Sequence, residues 1–169
     1  LMQRNEPSWL YSIDQGATTI WERWNSYTKE NGFGDVGMNS FNHYAYGSVV
    51  EWMYRYMAGI EPGAAGFGTV ILQPRLDTRN AEELPDGQQR MTYVKASYKS
   101  AAGLIESEWH NEDSFTYKCT VPVTAELRLP VMGEKLLING VEHSFDEYER
   151  KDGCAVINLA SGEYVFEEK

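Results

Sequence analysis

Pro62-Gly63-Ala64-Ala65-Gly66 divides the 169-residue sequence into two parts with different hydrophobic periods. Before this stretch, apolar residues recur at three- and four-residue steps, which is typical of amphipathic helices. After it, short runs rich in β-branched and aromatic residues alternate with polar residues, which is typical of strands. Proline and glycine favour breaks in regular structure, so the stretch itself is predicted to be a hinge. The sequence therefore predicts an α+β fold in which helices and strands occupy separate halves.

The second half contains eight runs with the composition of strands. They cover residues 69–72, 91–98, 104–109, 114–121, 125–129, 135–138, 154–159 and 163–167. Turn-forming pairs such as Asn139-Gly140 and Asp152-Gly153 separate neighbouring runs and suit two-residue hairpin loops. Short strands joined by such turns predict an antiparallel β-sandwich.

The first half contains two stretches with a helical period. The earlier one covers residues 7–15, begins with a proline that suits a first helical turn, and ends at Gly16. The later one begins at Asn39 or Ser40, either of which can act as an N-cap, and runs to about Ala58, where a glycine follows. We therefore predict two helices upstream of the hinge.

The charge of the chain argues against one class of partner. The formal net charge is −10, the sequence pI is near 4.8, and the lysines and arginines form no cluster. Such a charge argues against nucleic acids and anionic membranes, and it is compatible with a neutral substrate such as a sugar. No apolar run approaches the roughly 20 residues that a membrane-spanning helix needs. The compartment is not predicted, because cytoplasmic, periplasmic and secreted proteins all fit.

Cysteine and histidine spacing predicts no metal site, and we expect no cofactor. Cys119 and Cys154 form no C-x-x-C pair, so two free buried thiols are expected, with a disulfide as the alternative. The three histidines show no ligand spacing. Residues 32–37 match the G-x-G-x-x-G dinucleotide fingerprint in form, but the residues before them are polar and supply no strand. We therefore reject a dinucleotide site.

A second informative feature is the string Gly16-Ala17-Thr18-Thr19-Ile20-Trp21-Glu22-Arg23-Trp24, which is followed downstream by Asn39-Ser40-Phe41-Asn42-His43-Tyr44. It places a carboxylate between two indoles, with an imidazole in the first turn of the second predicted helix. Indole faces stack on the C–H faces of sugars, and a carboxylate beside them can take a proton from water. The string therefore predicts a carbohydrate-processing site around Glu22.

Structural explanations of the same residues stay open. In a helix, Trp21 and Trp24 share a face and could belong to the core, with Glu22 solvated beside them. In an extended segment, Glu22 shares a face with Trp24 instead. The β-branched run at residues 18–20 favours an extended or looped segment. For His43, the alternative is a hydrogen-bonded histidine in the wall of the fold.

The sequence resembles the C-terminal end of bacterial α-L-rhamnosidases of glycoside hydrolase family seventy-eight. The resemblance is carried by Pro7-Ser8-Trp9-Leu10-Tyr11, by the string at residues 16–24, by Ser40-Phe41-Asn42-His43-Tyr44-Ala45-Tyr46-Gly47, and by the junction at residues 62–74. It covers essentially the whole chain, and its motifs are most specific in the first third.

The resemblance implies a fold, a reaction and site residues. Members of the family have a catalytic barrel of six helical hairpins, an (α/α)6 barrel, followed by a β-sandwich. It implies that residues 1–62 are closing helices of such a barrel and that residues 66–169 are the trailing sandwich. It implies an inverting hydrolase acting on a rhamnose-containing glycoside or polysaccharide. Glu22 matches the general base and His43 matches a rhamnose-binding histidine. Trp21 and Trp24 match the motif as substrate-binding candidates, and the resemblance does not imply which of the two faces the sugar.

The resemblance also implies that this chain is part of an enzyme. An inverting glycosidase needs a second carboxylic acid about 6.5–9.5 Å from the base. In the family that acid comes from earlier barrel loops, and Asp14, Asp35 and Glu51 lie in no matching motif. We therefore expect the chain to be inactive by itself, with the remainder of the barrel upstream as its partner and self-association as a further expectation.

Two other classes of function stay open. One is a carbohydrate-binding or structural sandwich module, which a solvent-facing row of aromatic residues on one sheet would favour. The other is a different glycosidase or lyase with an (α/α)6 barrel, which residues outside this chain would decide. The aglycone, the linkage, the oligomeric state and the identity of the general acid are not predicted.

Overall fold

Residues 8–168 are described by a computed structural model, and the chain forms two compact units. The first unit runs up to Val50 and also contains Arg79–Arg90. The second comprises Glu51–Thr78 and the residues from Met91 onward. The division into residues 1–62 and 66–169, which comes from the sequence, stays a prediction.

Helix α1 (Trp9–Asp14) opens the described part of the first unit. Ser8 is its N-cap, and the Ser8 hydroxyl accepts a hydrogen bond from the Tyr11 backbone N–H at 3.2 Å. Gly16 follows the helix with a φ of 101°, a conformation that favours glycine. The predicted helix over residues 7–15 is thus confirmed where the structure describes it, and Pro7 lies outside the described residues.

Residues 44–58 form one continuous helical run that is made of three types of helix. Tyr44–Ser48 is a 3₁₀ helix, Val49–Trp52 is helix α2, and Met53–Ala58 is a π-helix. Gly59 ends the run in the left-handed conformation with a φ of 73°, as predicted. No helix within residues 8–168 is long and apolar enough to cross a membrane.

The predicted start of this helix at Asn39 or Ser40 is wrong. Asn39 Nδ2 donates to the Ser26 carbonyl oxygen at 2.8 Å, and the backbone of Ser40 pairs with Glu22. The helical run begins only at Tyr44, so neither residue is its N-cap. His43 was expected in the first helical turn, but it precedes that turn as the N-cap residue and makes no side-chain capping bond.

Strands β1 (Tyr27–Thr28) and β2 (Gly32–Phe33) form a short hairpin in the first unit, and the other described strands belong to the second unit. These are β3 (Ile60–Pro62), β4 (Val70–Leu72), β5 (Tyr93–Ser100), β6 (Gly103–Asn111), β7 (Phe115–Val121), β8 (Ala125–Pro130), β9 (Lys135–Ile138), β10 (Val141–Ser144), β11 (Glu149–Lys151), β12 (Cys154–Leu159) and β13 (Gly162–Glu168). All of the predicted strands are present. They form two sheets, in the orders β10-β9-β13-β7-β6-β5 and β11-β12-β8-β4-β3.

One pairing departs from the predicted antiparallel sandwich. Strand β4 runs parallel to β8, with Val70 opposite Ala125 and Leu72 opposite Leu127. Parallel neighbours need a long connection, which residues 73–124 supply. The other described strand pairs are antiparallel, so the sandwich is confirmed with this one exception.

Side chains from both sheets meet in one buried core. The first sheet contributes Ile105, Trp109, Tyr117, Leu136 and Phe166, and the second contributes Leu72, Leu127, Leu129, Ile157 and Leu159. Burial alternates residue by residue along β6, β7 and β8. This alternation is the pattern that made these strands predictable from the sequence.

The strands that sequence reasoning missed have no such pattern. Strands β10 and β11 lie at sheet edges and are mostly exposed, so their sequences carry no apolar face. Strand β3 contains Pro62 and is also an edge strand, where proline is tolerated.

Two local predictions in the sandwich are confirmed. Asn139-Gly140 and Asp152-Gly153 form tight turns in which every central residue has a positive φ, from 50° to 82°. Cys119 and Cys154 are both free and buried. Burial raises the pKa of the Cys119 thiol to about 12, so this thiol stays protonated at neutral pH.

The core of the sandwich also binds the end of the helical run. Trp109 Nε1 donates to the Met57 carbonyl oxygen at 2.8 Å, and the Ser107 hydroxyl donates to the Ala58 carbonyl oxygen at 2.6 Å. Ser107 and Trp109 are both fully buried. The last carbonyl groups of a helix have no partner within it, so these two side chains satisfy groups that burial would otherwise leave unpaired.

Gly59 is a position where alanine should be strongly destabilising. A Cβ there would lie 2.2 Å from the Gln73 carbonyl, in addition to the left-handed φ. Gly140 is a matched control, because its φ is 82° but a Cβ added there would meet nothing within 4 Å. We expect Gly140→Ala to lower the free energy of unfolding by about 1 kcal/mol. We expect Gly59→Ala to cost about 1–3 kcal/mol more, the range for overpacked sites.

Urea denaturation of both variants, followed by tryptophan fluorescence, measures this difference. Equal losses would show that the backbone at Gly59 can move away from Gln73 without cost.

Candidate functional site

The string at residues 16–24 is extended or looped rather than helical, as predicted. After Gly16 no helical segment occurs until residue 44. Residues 20–22 run beside residues 40–43, which brings the two sequence motifs together within the first unit.

Three hydrogen bonds join these two segments. The Glu22 backbone N–H donates to the Ser40 carbonyl oxygen at 2.8 Å, and the His43 backbone N–H donates to the Ile20 carbonyl oxygen at 2.8 Å. The Ser40 backbone N–H donates in turn to Glu22 Oε2, also at 2.8 Å. Glu22 and His43 therefore lie on neighbouring segments that are fixed to each other by backbone groups.

One oxygen of the Glu22 carboxylate accepts a hydrogen bond, and the other accepts none from the described residues. The side chain is half-buried, and Oε2 accepts the bond from Ser40. Within residues 8–168, Oε1 accepts no hydrogen bond. A carboxylate in this state has a restricted orientation and keeps lone pairs that can bind a water molecule or a hydroxyl group.

The His43 side chain is oriented by an aromatic contact. Its half-buried ring stacks on Tyr46, with 4.8 Å between centroids and 27° between planes. Neither ring nitrogen makes a hydrogen bond to the part of the chain that the structure describes. The ring is therefore positioned by stacking, and its polar atoms stay available to a ligand.

Trp21 lies in a cluster of aromatic side chains. It is 9% exposed and packs edge-on against Phe41 at 5.4 Å and Tyr27 at 6.4 Å. Phe33 contacts both Tyr27 and Phe41. The β1–β2 hairpin thus supplies Tyr27, which packs on Trp21, and Phe33, which packs on the two rings beside it, and little of the indole surface is left for a ligand.

Trp24 has different neighbours from Trp21. It is half-buried and meets Trp9 edge-on at 4.9 Å, and its carbonyl oxygen accepts a bond from the Ser12 hydroxyl at 2.9 Å. The chain turns after Glu22, because the Ser26 N–H donates to the Arg23 carbonyl oxygen. The two indoles therefore share neither a helical face nor a set of contacts.

Sequence reasoning missed Ser26 as a structural residue and assigned Asn39 the wrong structural role. Ser26 is 1% exposed, and its carbonyl oxygen accepts the bond from Asn39 Nδ2. The two residues are 13 positions apart, so no local spacing signals their contact. A serine among aromatic residues is the only cue in the sequence.

Asp14, Asp35 and Glu51 are either exposed or bonded to residues close to them in sequence. Asp35 Oδ1 accepts the Gly37 N–H at 2.8 Å within its own turn, and Asp14 is exposed. Glu51 forms an ion pair with Arg55 at 2.9 Å in the second unit. Across residues 8–168, no group of His, Cys, Asp and Glu side chains is arranged to hold a metal ion.

The sandwich strands show little sign of a sugar-binding face. The strongly exposed aromatic residues on described strands of the sandwich are Tyr93 and Tyr98. Both belong to β5, and an odd separation places them on opposite faces of that strand. No row of aromatic residues therefore crosses either sheet within the described residues.

Comparisons with known proteins relate both parts of the chain to one group of enzymes. Residues 1–57 match the family described as bacterial alpha-L-rhamnosidase 6 hairpin glycosidase domain. Residues 59–144 match the family described as bacterial alpha-L-rhamnosidase C-terminal domain. An alpha-L-rhamnosidase of Streptomyces avermitilis is 42% identical over 170 aligned residues, covering 98% of this chain and 15% of the relative.

Solved structures agree with the sequence comparison. The structure of the Streptomyces avermitilis alpha-L-rhamnosidase complexed with L-rhamnose matches with a TM-score of 0.77 and 40% identity, over 100% of this chain and 15% of that one. The alpha-L-rhamnosidase from Dictyoglumus thermophilum matches with a TM-score of 0.76 and 31% identity, over 100% of this chain and 18% of that one. The chain thus spans less than a fifth of the length of these proteins.

Replacing Trp21 should destabilise the first unit. Trp21→Ala removes a buried indole from the aromatic cluster, and substitutions of this kind cost about 3–5 kcal/mol. Tyr44→Ala is the control, because Tyr44 is 88% exposed and such changes stay within about 0.5 kcal/mol. Hydrogen exchange of the backbone amides in residues 20–43 measures the effect in both variants. Equal protection in the two variants would contradict a structural role for Trp21.

Proposed function

Because the chain belongs to the bacterial α-L-rhamnosidase family, we propose that it supplies the general base and part of the sugar-binding wall of an enzyme that removes terminal α-L-rhamnose from glycosides. The observation that carries this proposal is the pairing that sets the Glu22 carboxylate beside the segment bearing His43. The substrate is a rhamnose-containing glycoside or polysaccharide, and the partner is the remainder of the catalytic barrel.

Glu22 is the general base in this proposal. The Ser40 N–H restrains Oε2, while Oε1 keeps lone pairs for the proton of an attacking water molecule. In an inverting glycosidase, such a carboxylate activates water on the face of the sugar opposite to the leaving group. The reaction then replaces the glycosidic bond by a bond to the water oxygen, with inversion at the anomeric carbon.

In this proposal, His43 and Trp24 contact the sugar directly. Trp21 is buried and acts indirectly, by supporting the segment that carries Glu22. The His43 ring is held by Tyr46 and can hydrogen-bond a rhamnose hydroxyl through either nitrogen. Trp24 is half-buried and can present part of its indole to the C–H face of the ring. Trp21 is 9% exposed, so its effect on the sugar passes through the segment that carries Glu22.

The general acid of this proposal lies outside the 169 residues. The chain spans 15% of the length of its Streptomyces relative, and Asp35 and Glu51 are engaged in local contacts. Residues 1–62 then close the helical barrel, and residues 66–169 form the sandwich that follows it. A base without its acid, and without the other walls that position the sugar, has little catalytic effect.

The role of Glu22 is tested in the complete enzyme that carries this sequence. We expect Glu22→Gln to lower kcat on an aryl α-L-rhamnoside about 10²–10⁴-fold, because the amide keeps the shape of the side chain and cannot accept a proton from water. KM should change less than about twofold, since the bound sugar meets the same walls. Glu30→Gln, at an exposed position of the same unit, is the control and should keep parental kinetics. Parental kcat in Glu22→Gln would remove Glu22 from the mechanism.

The chain by itself should not hydrolyse the same substrate. We expect turnover at high protein concentration to equal that of the Glu22→Gln variant of the chain, because the general acid of this proposal lies outside the chain. Release of the aryl group, followed by absorbance, measures both proteins. Turnover that the substitution abolishes would show that a working acid lies within these residues.

A further inference from the structure

Ser26 connects three parts of the first unit through hydrogen bonds, and Ser26 itself is buried. Its carbonyl oxygen accepts from the Gly34 N–H at 2.9 Å and from Asn39 Nδ2 at 2.8 Å. Its hydroxyl accepts from the Arg23 N–H at 3.1 Å and thereby closes the turn that follows Glu22. Ser26 is 1% exposed, so its own acceptor atoms are largely shielded from competing water.

The Asn39 contact bears directly on the Glu22 carboxylate. The peptide group between Asn39 and Ser40 carries the N–H that binds Glu22 Oε2. The segment is therefore attached at two points, through Ser40 to Glu22 and through the Asn39 side chain to Ser26. The Ser40 carbonyl oxygen also accepts from the Glu22 N–H, and the Asn39 contact adds a restraint on the residue that precedes this peptide group, and therefore on the direction of its N–H.

Apolar packing alone does not account for Asn39. Its Oδ1 atom is buried and accepts no hydrogen bond from any of residues 8–168. Burying an amide oxygen without a partner is unfavourable, so an apolar side chain would suit the position better if packing were its only role. The Nδ2 group of the amide donates the hydrogen bond that holds the segment to Ser26, and this bond explains why the position is occupied by asparagine.

We infer that Asn39 and Ser26 are positioning residues for hydrolysis, acting through the Ser40 N–H to hold the Glu22 carboxylate. This inference rests on the proposed role of Glu22 as the base. Ser26 supplies the fixed acceptor, Asn39 supplies the link, and neither residue touches the substrate. Loss of the link leaves the carboxylate in place but lets its orientation vary, and small errors in the position of a base reduce the rate.

The first experiment uses the 169-residue chain and needs no activity. Asn39→Ala should raise the exchange rate of the Ser40 amide about tenfold or more, because its bond to Glu22 opens more often. Asn39→Asp, which keeps the size of the side chain and replaces the donor by an acceptor, should do the same. Asn25→Ala is the control at an exposed asparagine next to Ser26 and should leave this rate unchanged. A Ser40 amide that stays protected in both Asn39 variants would overturn the inference.

The second experiment is a double-mutant cycle in the complete enzyme. Asn39→Ala should lower kcat about 10–100-fold with little change in KM. In the Glu22→Gln background the same substitution should lower the residual kcat less than about twofold, because its effect passes through the carboxylate. A merely structural role would reduce both backgrounds by the same factor, and that result would overturn the inference while leaving the proposed function intact. Parental kcat in Glu22→Gln alone would overturn the proposed function, and the inference with it.

Discussion

The hydrogen bonding of residues 20–22 with residues 40–43 is the constraint on which the candidate site depends. Its three hydrogen bonds, each 2.8 Å long, orient the Glu22 side chain and place the His43 segment beside it. The helical run begins immediately after this pairing, at Tyr44.

A second constraint acts at the other end of that helical run. The buried side chains of Ser107 and Trp109 bind the carbonyl oxygens of Ala58 and Met57. A sandwich core rarely holds polar groups without partners for them, and here the partners are the last carbonyls of a helix. The second unit is therefore built around a helix end as well as around its two sheets, and Gly59 lets the chain turn from one to the other.

The sequence predicted those features of the fold that depend on residues close together in the chain. The strands with one buried face, the hairpin turn at Asn139-Gly140 and the end of the helix at Gly59 follow from residues next to each other in sequence. The parallel pairing of β4 with β8 and the Ser26–Asn39 contact depend on residues far apart in sequence. The motifs pointed to Glu22 and His43 as candidate site residues, but no pattern in the sequence indicated the contact between Ser26 and Asn39.

A crystal structure of the complete enzyme with L-rhamnose bound tests most directly whether Glu22 and His43 form one site. We expect a His43 ring nitrogen within about 3 Å of a sugar hydroxyl, and Glu22 Oε1 within about 3 Å of a water molecule facing the anomeric carbon. Oε2 should still accept the bond from the Ser40 N–H. A sugar bound beyond hydrogen-bond reach of both side chains would contradict a shared site.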